Sequence, residues 1–467
     1  MESEIIENTK EKSRKKYEMD MCTGSVFGKM LLFALPLMCS SILQLLFNAA
    51  DIVVVGRFAG DNALAAVGSN TALINLLTNL FVGLSIGTNV MVARFYGGKK
   101  EQDLKETVHT SMLLSVYSGI LLTVVGIAAA RGLLELMQSP IEVLDLAALY
   151  LRIYFLGMTS TMIYNFGSAI LRAVGDTKRP LYYLLLAGVI NVILNLLFVV
   201  VFKMGVAGVG AATAISQTIS AILVVRCLIN EQGGIHLDLK ELRIVKDKFL
   251  RILQIGLPAG FQGVVFSLSN VVIQSAVNSF GAVVVAGNSA ASNIEGFVYM
   301  AMNAFYQATI SFTSQNFGAR DYKRISKILW AGELYVIATG LILGNLAVFF
   351  GDSFLGIYST SEEVIAAGMV RLKIIGTTYA LCGIMDVLVG ALRGIGYSVL
   401  PMIVSLIGAC GLRLLWLATV FRIPDYHSQE TIYLSYPITW TITLTVHFIC
   451  FIILFHKIKK VEKGMVY

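Results

Sequence analysis

From residue 29 onward the chain is a succession of long apolar stretches parted by short polar ones. An α-helix needs about 20 residues to cross a hydrocarbon layer ~30 Å thick. Stretches of that length lie near 29–57, 63–93, 107–130, 143–171, 181–203, 207–229, 249–279, 283–314, 327–350, 363–392, 400–421 and 432–456. A transmembrane barrel would instead alternate in segments of about ten residues, and these stretches do not. The pattern predicts an all-α polytopic membrane protein with twelve transmembrane helices. Composition agrees: of 467 residues 56% are hydrophobic and 14% charged, and the mean hydropathy is +0.75, beyond the range of ordinary soluble chains.

The first twenty residues, MESEIIENTKEKSRKKYEMD, are polar and charged rather than a short apolar core behind a basic stub. The first helix is therefore expected to insert directly, without a cleavable signal. Basic residues concentrate in the N-terminus, in the even-numbered connections (ARFYGGKKEQDLKE, RAVGDTKRP, the 226–251 linker, GARDYKRISK) and in the C-terminus, whereas NSFGAVVV and GDSFLGIYSTSEEV have none. By the positive-inside rule both termini are cytoplasmic in a multi-pass protein of the cell membrane. The net charge of +7 then reads as a basic cytoplasmic rim, with no nucleic-acid partner. Six cysteines (Cys22, Cys39, Cys227, Cys382, Cys410, Cys450) are scattered without a C-x-x-C and suggest neither disulfides nor a thiolate metal site.

Four landmarks recur at a nearly constant offset. Pro36 in FALPLM and Pro258 in IGLPAG are 222 apart, as are Asn48 and Asn270. FYGG at 95–98 and NFGA at 316–319 are 221 apart, as are AILRAVGDTKRP (169–180) and ALRGIGYSVLP (391–401). The chain reads as a tandem of two pseudo-symmetric six-helix lobes, related by an axis along the membrane normal because six is even. The expected divisions are a cytoplasmic N-terminal segment (1–28), an N-lobe (29–230), a cytoplasmic linker (231–248), a C-lobe (249–456) and a cytoplasmic tail (457–467). Two lobes of this kind suggest alternating access by a monomer.

A charged side chain at a helix centre costs about 2.5–3.5 kcal/mol on insertion scales and marks function by default. Three acidic residues are placed well inside helices: Asp51, Glu295 and Asp386. Gln44, Asn48 and Asp51, spaced i, i+4, i+7, share one face of the first helix. Asn191 and Asn195 share a face of the fifth, and Thr213, Gln217 and Ser220 form a stripe on the sixth. Asp51, Asn195 and Thr213 each lie about seven or eight residues from the outer end of their helix, roughly 11 Å, so one layer can hold all three. A carboxylate among amide and hydroxyl oxygens, shielded from water, takes a proton or holds a hard cation such as Na⁺. The alternatives are that Asp51 reaches interfacial water or pairs with Arg57, and that the Asn and Thr stripes only hold helices together.

At these residues the chain resembles a known family, the multidrug and toxic compound extrusion (MATE) exporters, from the first helix to the twelfth. The resemblance is carried by LPLMCSSILQLLFNAADIVVVGRFAG, ILRAVGDTKRP, NVILNLLFVVVFKMGVAGVGAATAISQ and ALRGIGYSVLP. It implies a MATE-like, V-shaped exporter that expels drug-like, often cationic compounds in exchange for H⁺ or Na⁺, with no resident cofactor. The family's cation-coupling aspartate on the first helix maps onto Asp51, with Asn48, Asn191, Asn195 and Thr213 about it; Na⁺ binding there would use Asp51, Asn191, Asn195 and Thr213. Family members often have an aspartate where this chain has Asn195, and some have a glutamate where it has Phe266. The site thus carries one negative charge rather than two, and the choice between H⁺ and Na⁺ stays open.

Gln44, Asn165 and Gln217 are further substrate or proton candidates. Glu295 shares a face of the eighth helix with Asn288, Ser292 and Tyr299, where a carboxylate attracts a cationic drug or takes a proton. Asp386 aligns through the repeat with Asn165, so one lobe carries a charge that its twin lacks; a salt bridge to Arg393 at i+7 is the alternative. Pro36 and Pro258 are hinge candidates, with static kinks as the alternative. Met300, Met302, Met369 and Met385 with Tyr299, Phe305 and Tyr306 either line an adaptable pocket or are packing. The five histidines (His109, His236, His427, His447, His456) form no H-E-x-x-H, and no Walker A loop appears, so neither a membrane enzyme nor an ATP-driven pump is expected. The nearer rival is a flippase or exporter of lipid-linked sugars or polysaccharide on the same fold. It calls for more cations in the cavity, for which Arg152, Arg371, Lys373 and Arg413 are the interior candidates. The expected partners are small organic cations and the lipid bilayer.

Overall fold

The computed structural model describes residues 17–137 and 140–462. The rest of the expected N-terminal segment (1–16) and the end of the expected tail (463–467) lie outside the described residues. All the regular elements described are helical: α1 (Val26–Phe58), α2 (Asp61–Gly97), α3 (Glu101–Leu136), α4 (Ile141–Leu156), α5 (Met158–Ala173), α6 (Lys178–Asn195), α7 (Gly205–Asn230), α8 (Lys246–Asn278), α9 (Ala282–Gly318), α10 (Tyr322–Phe349), α11 (Gly351–Tyr358), α12 (Glu362–Thr378), α13 (Ala380–Gly394), α14 (Val399–Ser405), α15 (Leu412–Ala418) and α16 (Gln429–Glu462). Wider π-turns, Leu196–Val201 and Leu406–Gly411, follow α6 and α14.

All twelve apolar stretches become helix, but they do not make twelve plain spans. Among the described residues, nine helices are long and apolar enough to cross a membrane, and ten if α12 and α13, bent by 47°, count as one span. Two stretches fall outside that measure. The stretch 143–171 breaks at Gly157 into α4 and α5, of 16 residues each. The other is α9, whose first half is interrupted by Asn288, Ser289, Ser292, Asn293 and Glu295. Both are places where polarity or a break dilutes the apolar signal on which the expectation rested.

Backbone geometry repeats with the sequence. Gly60 and Gly281, 221 residues apart, both have φ 87° and precede α2 and α9. Gly175 and Gly396 have φ 96° and 103°, and Lys99 and Arg320 have φ 52° and 59°, again 221 apart. Left-handed backbone is rare outside glycine, so its return at one offset shows that the two halves turn their corners alike.

The chain divides into two compact units. Among the described residues, one comprises 17–21 and those within Leu35–Val264; the other comprises Cys22–Ala34 and 265–462. The division falls inside α1 and α8, whereas the sequence places it at the 231–248 linker. In the first unit the reason is glycine. A Cβ on Gly83 would lie 2.2 Å from the Gly260 backbone nitrogen, and one on Gly87 would lie 2.3 Å from the Ile252 carbonyl oxygen. Such backbone-to-backbone contact is how small residues join membrane helices, and it commits the first half of α8 to α2. In the second unit the first part of α1 packs Phe33 edge-on to Phe312, with centroids 5.5 Å apart. A Gly260→Ile variant is expected to lose about 1–3 kcal/mol or more by overpacking, read as a lower melting temperature in detergent; an unchanged value would mean that α2 and α8 are not held this closely.

Polar side chains tie each unit internally. In the first, Asn70 donates to the Ala66 and Ala147 carbonyls (2.7 and 3.0 Å), and Asn89 to Ala169 (3.0 Å). The 231–245 segment is fastened to α3: the His109 ring accepts from the Asp238 N–H, Thr110 accepts from Val245, and Lys248 pairs with Asp103. Asp176 accepts the N–H groups of Lys178 and Arg179 at the start of α6, while the Arg179 guanidinium bridges Asp176 and Glu231. Glu18 joins this end of the unit by accepting from the Tyr96 hydroxyl (3.0 Å). Burial pushes its carboxyl above the usual range, with the Tyr96 bond acting against it.

Candidate cation and substrate sites

The first unit holds a cavity of about 200 Å³ lined by side chains of α1, α4, α6 and α7. Gln44, Asn48 and Asp51 line it from α1, Asn191 from α6, and Thr213 and Gln217 from α7. The i, i+4, i+7 spacing on α1 therefore does put these groups on one face, and α6 and α7 bring their amides and hydroxyls to it. Asn195 closes the cluster: its Nδ2 donates to Asp51 Oδ1 and to Asn191 Oδ1 (3.1 Å). Asn191 in turn donates to Thr213 (3.4 Å) and Ser216 (3.5 Å). Directly after Asn195 the helix widens into its π-turn, a distortion that recurs at functional sites.

Asp51 is half-buried, Asn191 and Asn195 are buried, and Arg57 is exposed. Asp51 bonds Asn195 and forms no ion pair with Arg57 among the described residues, which removes the pairing alternative. The Asn195 Oδ1 atom is buried without a hydrogen-bond partner. One carboxylate, two amides and a hydroxyl are thus gathered with a single formal charge and a spare oxygen. That is chemistry for a proton or a hard monovalent cation rather than for a soft transition metal.

Of the lining residues that the sequence did not single out, three shape the site. Tyr154, on α4 just before the Gly157 break, and Ser216, one turn beyond Thr213, face the cavity. The signal for Ser216 was its i+3 position; Tyr154 had none, because the break that aims it is a tertiary feature. Gly188 is the third: a Cβ there would lie 1.8 Å from the Phe47 ring, so its bareness admits that ring to the wall.

The second unit holds a larger cavity, about 470 Å³, bounded by α8, α9, α12 and α16. Glu295 and Tyr299 line it as the face on α9 predicts, together with Asn288 and Ser292. Glu295 is not a lone carboxylate. Arg371 on α12 donates to both of its oxygens, Nε at 3.0 and 3.2 Å and Nη2 at 2.7 Å, and gives Nη1 to Asn288 Oδ1 at 2.7 Å. Asn288 also accepts from the Tyr433 hydroxyl (3.2 Å) and donates to Gln274 (3.0 Å). An aromatic wall completes the cavity: Tyr379 stacks on Trp440 at 5.7 Å, and Tyr436 meets Trp440 edge-on at 5.5 Å. The Arg413 guanidinium lies 3.8 Å from the Tyr436 ring centroid. The attraction of a free Glu295 for a cation is thereby corrected, because a fork-to-fork pair cancels its charge.

The other candidates separate. Asp386 is an electrostatic neighbour of Tyr299 on the cavity wall and does not itself line the cavity. Among the described residues it forms no salt bridge with Arg393, whose Nη1 instead donates to the Tyr306 hydroxyl. Asn165 is half-buried and lines neither cavity. Met302, Met369 and Met385 are buried in the core, and Phe305 stacks on Tyr335 at 4.9 Å, so those residues pack rather than line a pocket. Pro36 and Pro258 lie inside α1 and α8, which run through them as single helices. Among the described residues, one buried carboxyl within a long apolar helix was missed: Glu333 on α10 is 7% exposed.

The MatE family profile matches residues 36–197 and 258–417, two blocks that begin at Pro36 and Pro258 and together cover more than half of the chain. The chain belongs to the MatE family. MatE proteins are multi-pass membrane transporters, not enzymes, and the family's activity is multidrug efflux. The chain is 27% identical over 429 residues, 90% of its own length and 92% of the relative's, to the probable multidrug resistance protein YoeA of Bacillus subtilis (strain 168). It is 29% identical over 394 residues, 84% and 88% of the two chains, to the probable multidrug resistance protein YpnP of the same organism. Its fold matches a structure described as the outward-facing conformation of a multidrug resistance MATE family transporter of the MOP superfamily. The TM-score is 0.88 at 20% identity, over 94% of this chain and 98% of that one.

Proposed function

We propose that this MatE transporter is a monomeric secondary exporter of drug-like organic cations in the plasma membrane, with both termini in the cytoplasm, and that protons exchanging at Asp51 drive it. The observation that carries this reading is the Asp51 cluster, where one carboxylate without a cationic partner lines a cavity walled by Asn48, Asn191, Thr213 and Gln217. A lone carboxylate in a half-buried site changes charge by taking one proton, and that change is what a proton-driven exchanger needs. The Asn195 amide presents its N–H to Asp51 and so already serves the anionic form. Na⁺ is the second reading, favoured by the buried, unbonded Asn195 Oδ1, which a turn of the amide would bring to a cation beside Asp51. Substrate would be held by the aromatic wall of the second unit, where Tyr379 and Trp440 line the cavity. Lipid-linked sugars, the rival cargo, call for free cations in the cavity; Arg371 is occupied by Glu295, and Arg413 is buried over the Tyr436 ring, where it donates to Thr439.

The deciding experiment is efflux of a cationic dye from proteoliposomes under a pH gradient and, separately, a Na⁺ gradient. Proton coupling predicts efflux with the first and none with the second. The reverse result selects Na⁺, and efflux indifferent to both gradients sinks the antiport reading.

A further inference from the structure

Glu333 stands about 17 Å along α10 from Tyr322, at 1.5 Å per residue. It is 7% exposed, and both of its carboxyl oxygens are buried without a hydrogen-bond partner. Its neighbour Gly332 packs against Thr309 of α9, Val387 of α13 and Met30 of α1, so α10 is enclosed on three sides at this level. The charged and titratable groups at this level include Tyr335 on α10 itself, Glu295, Tyr299 and Tyr306 on α9, Arg371 and Lys373 on α12, Cys382, Asp386 and Arg393 on α13, and Lys29 on α1. None of them forms an ion pair or hydrogen bond with Glu333. An ionised carboxylate cannot remain in such a place, and even the neutral acid is costly there without a partner.

The internal repeat shows that the fold does not require an acid at this point. The helices α3 and α10 begin at Glu101 and Tyr322, 221 apart, so Glu333 corresponds to Met112, which is 4% exposed in the core of the first unit. A methionine fills the equivalent space, and a carboxyl inside a membrane helix with no structural bond is by default a functional group.

We infer that Glu333 is a second proton-binding site of this transporter, carrying its proton in the structure described here and giving it up when α10 and its neighbours part to admit water. The step is a simple acid dissociation: the O–H bond breaks, its electron pair stays on the carboxylate, and the proton passes to water. That role rests on the proposed antiport but concerns a different unit from Asp51.

The test is infrared spectroscopy of the purified full-length protein at pH 7, in H₂O and D₂O, for wild type, Glu333→Gln and Glu333→Met. Wild type should show the carbonyl band of a protonated carboxylic acid that both variants lack, and the band should shift within minutes in D₂O. Glu333→Met, which restores the twin's residue, should fold and melt no lower than wild type. Dye efflux driven by a pH gradient should fall at least fivefold in Glu333→Gln. Absence of the band, a band that resists D₂O for hours, or unaltered efflux would each overturn the inference. Should wild type itself fail to move dye under either gradient, the antiport reading falls, and the D₂O shift still decides whether Glu333 holds an exchangeable proton.

Discussion

Replacing Asp51 by asparagine is expected to abolish gradient-driven efflux while leaving the protein folded and inserted. The two halves of that statement have separate causes. Asn195 donates its Nδ2 to Asp51 Oδ1, and an asparagine at 51 still offers an acceptor oxygen there, so the local bond survives. The variant also removes a charge from a half-buried position, so its melting temperature should equal or exceed that of wild type. What disappears is the ability to change charge. Without it neither H⁺ nor Na⁺ is held differently in the two states of the cycle, and the coupling between ion and substrate, typically worth about 5- to 150-fold, is lost. Proteoliposomes with an imposed gradient measure this directly. Wild-type efflux by Asp51→Asn would remove Asp51 from the mechanism, whatever the merit of the fold.

The second large effect is on stability. Arg371→Met should destabilise the protein by about 3–5 kcal/mol, because it leaves the Glu295 carboxylate buried without the guanidinium that holds both of its oxygens. Asn288 and Tyr433 do not compensate: Asn288 loses its own bond from Arg371, and the Tyr433 hydroxyl is already directed at Asn288. The double variant Glu295→Gln with Arg371→Met should recover most of the loss, since a buried ion pair replaced as a unit is often close to neutral. Thermal unfolding in detergent of the two single variants and the double variant forms a cycle. Simple addition of the two single losses would show that the pair does not act as a unit.

These two sites were unequally visible before the fold was known. Asp51, Asn191, Asn195 and Thr213 were legible because each is polar where apolar residues are the rule, and because helical spacing places neighbours on one face without any knowledge of the partner helix. Glu295 was legible as a buried acid, but its partner was not. Arg371 lies 76 residues away on α12, and nothing local says which of the interior arginines α9 will meet. Glu333 was overlooked because it stands near the start of its apolar stretch, where an acid is easily assigned to the interface; its burial comes from α9, α13 and α1 closing over α10. Tyr154 depended on the break at Gly157.

By itself, then, the amino-acid sequence determined the solvent, the helical class, the tandem repeat and the cluster around Asp51. All four follow from one-dimensional facts: the length of apolar runs, the period of polar residues and a constant offset between landmarks. Only the tertiary structure decided which charges cancel, as Arg371 does for Glu295, which acid is sealed away, as Glu333 is, and where the compact units divide, inside α1 and α8 rather than at the linker. These depend on which helix faces meet, and in a chain whose helices are apolar nearly all round, close contacts such as those of Gly83 and Gly87 choose the partner.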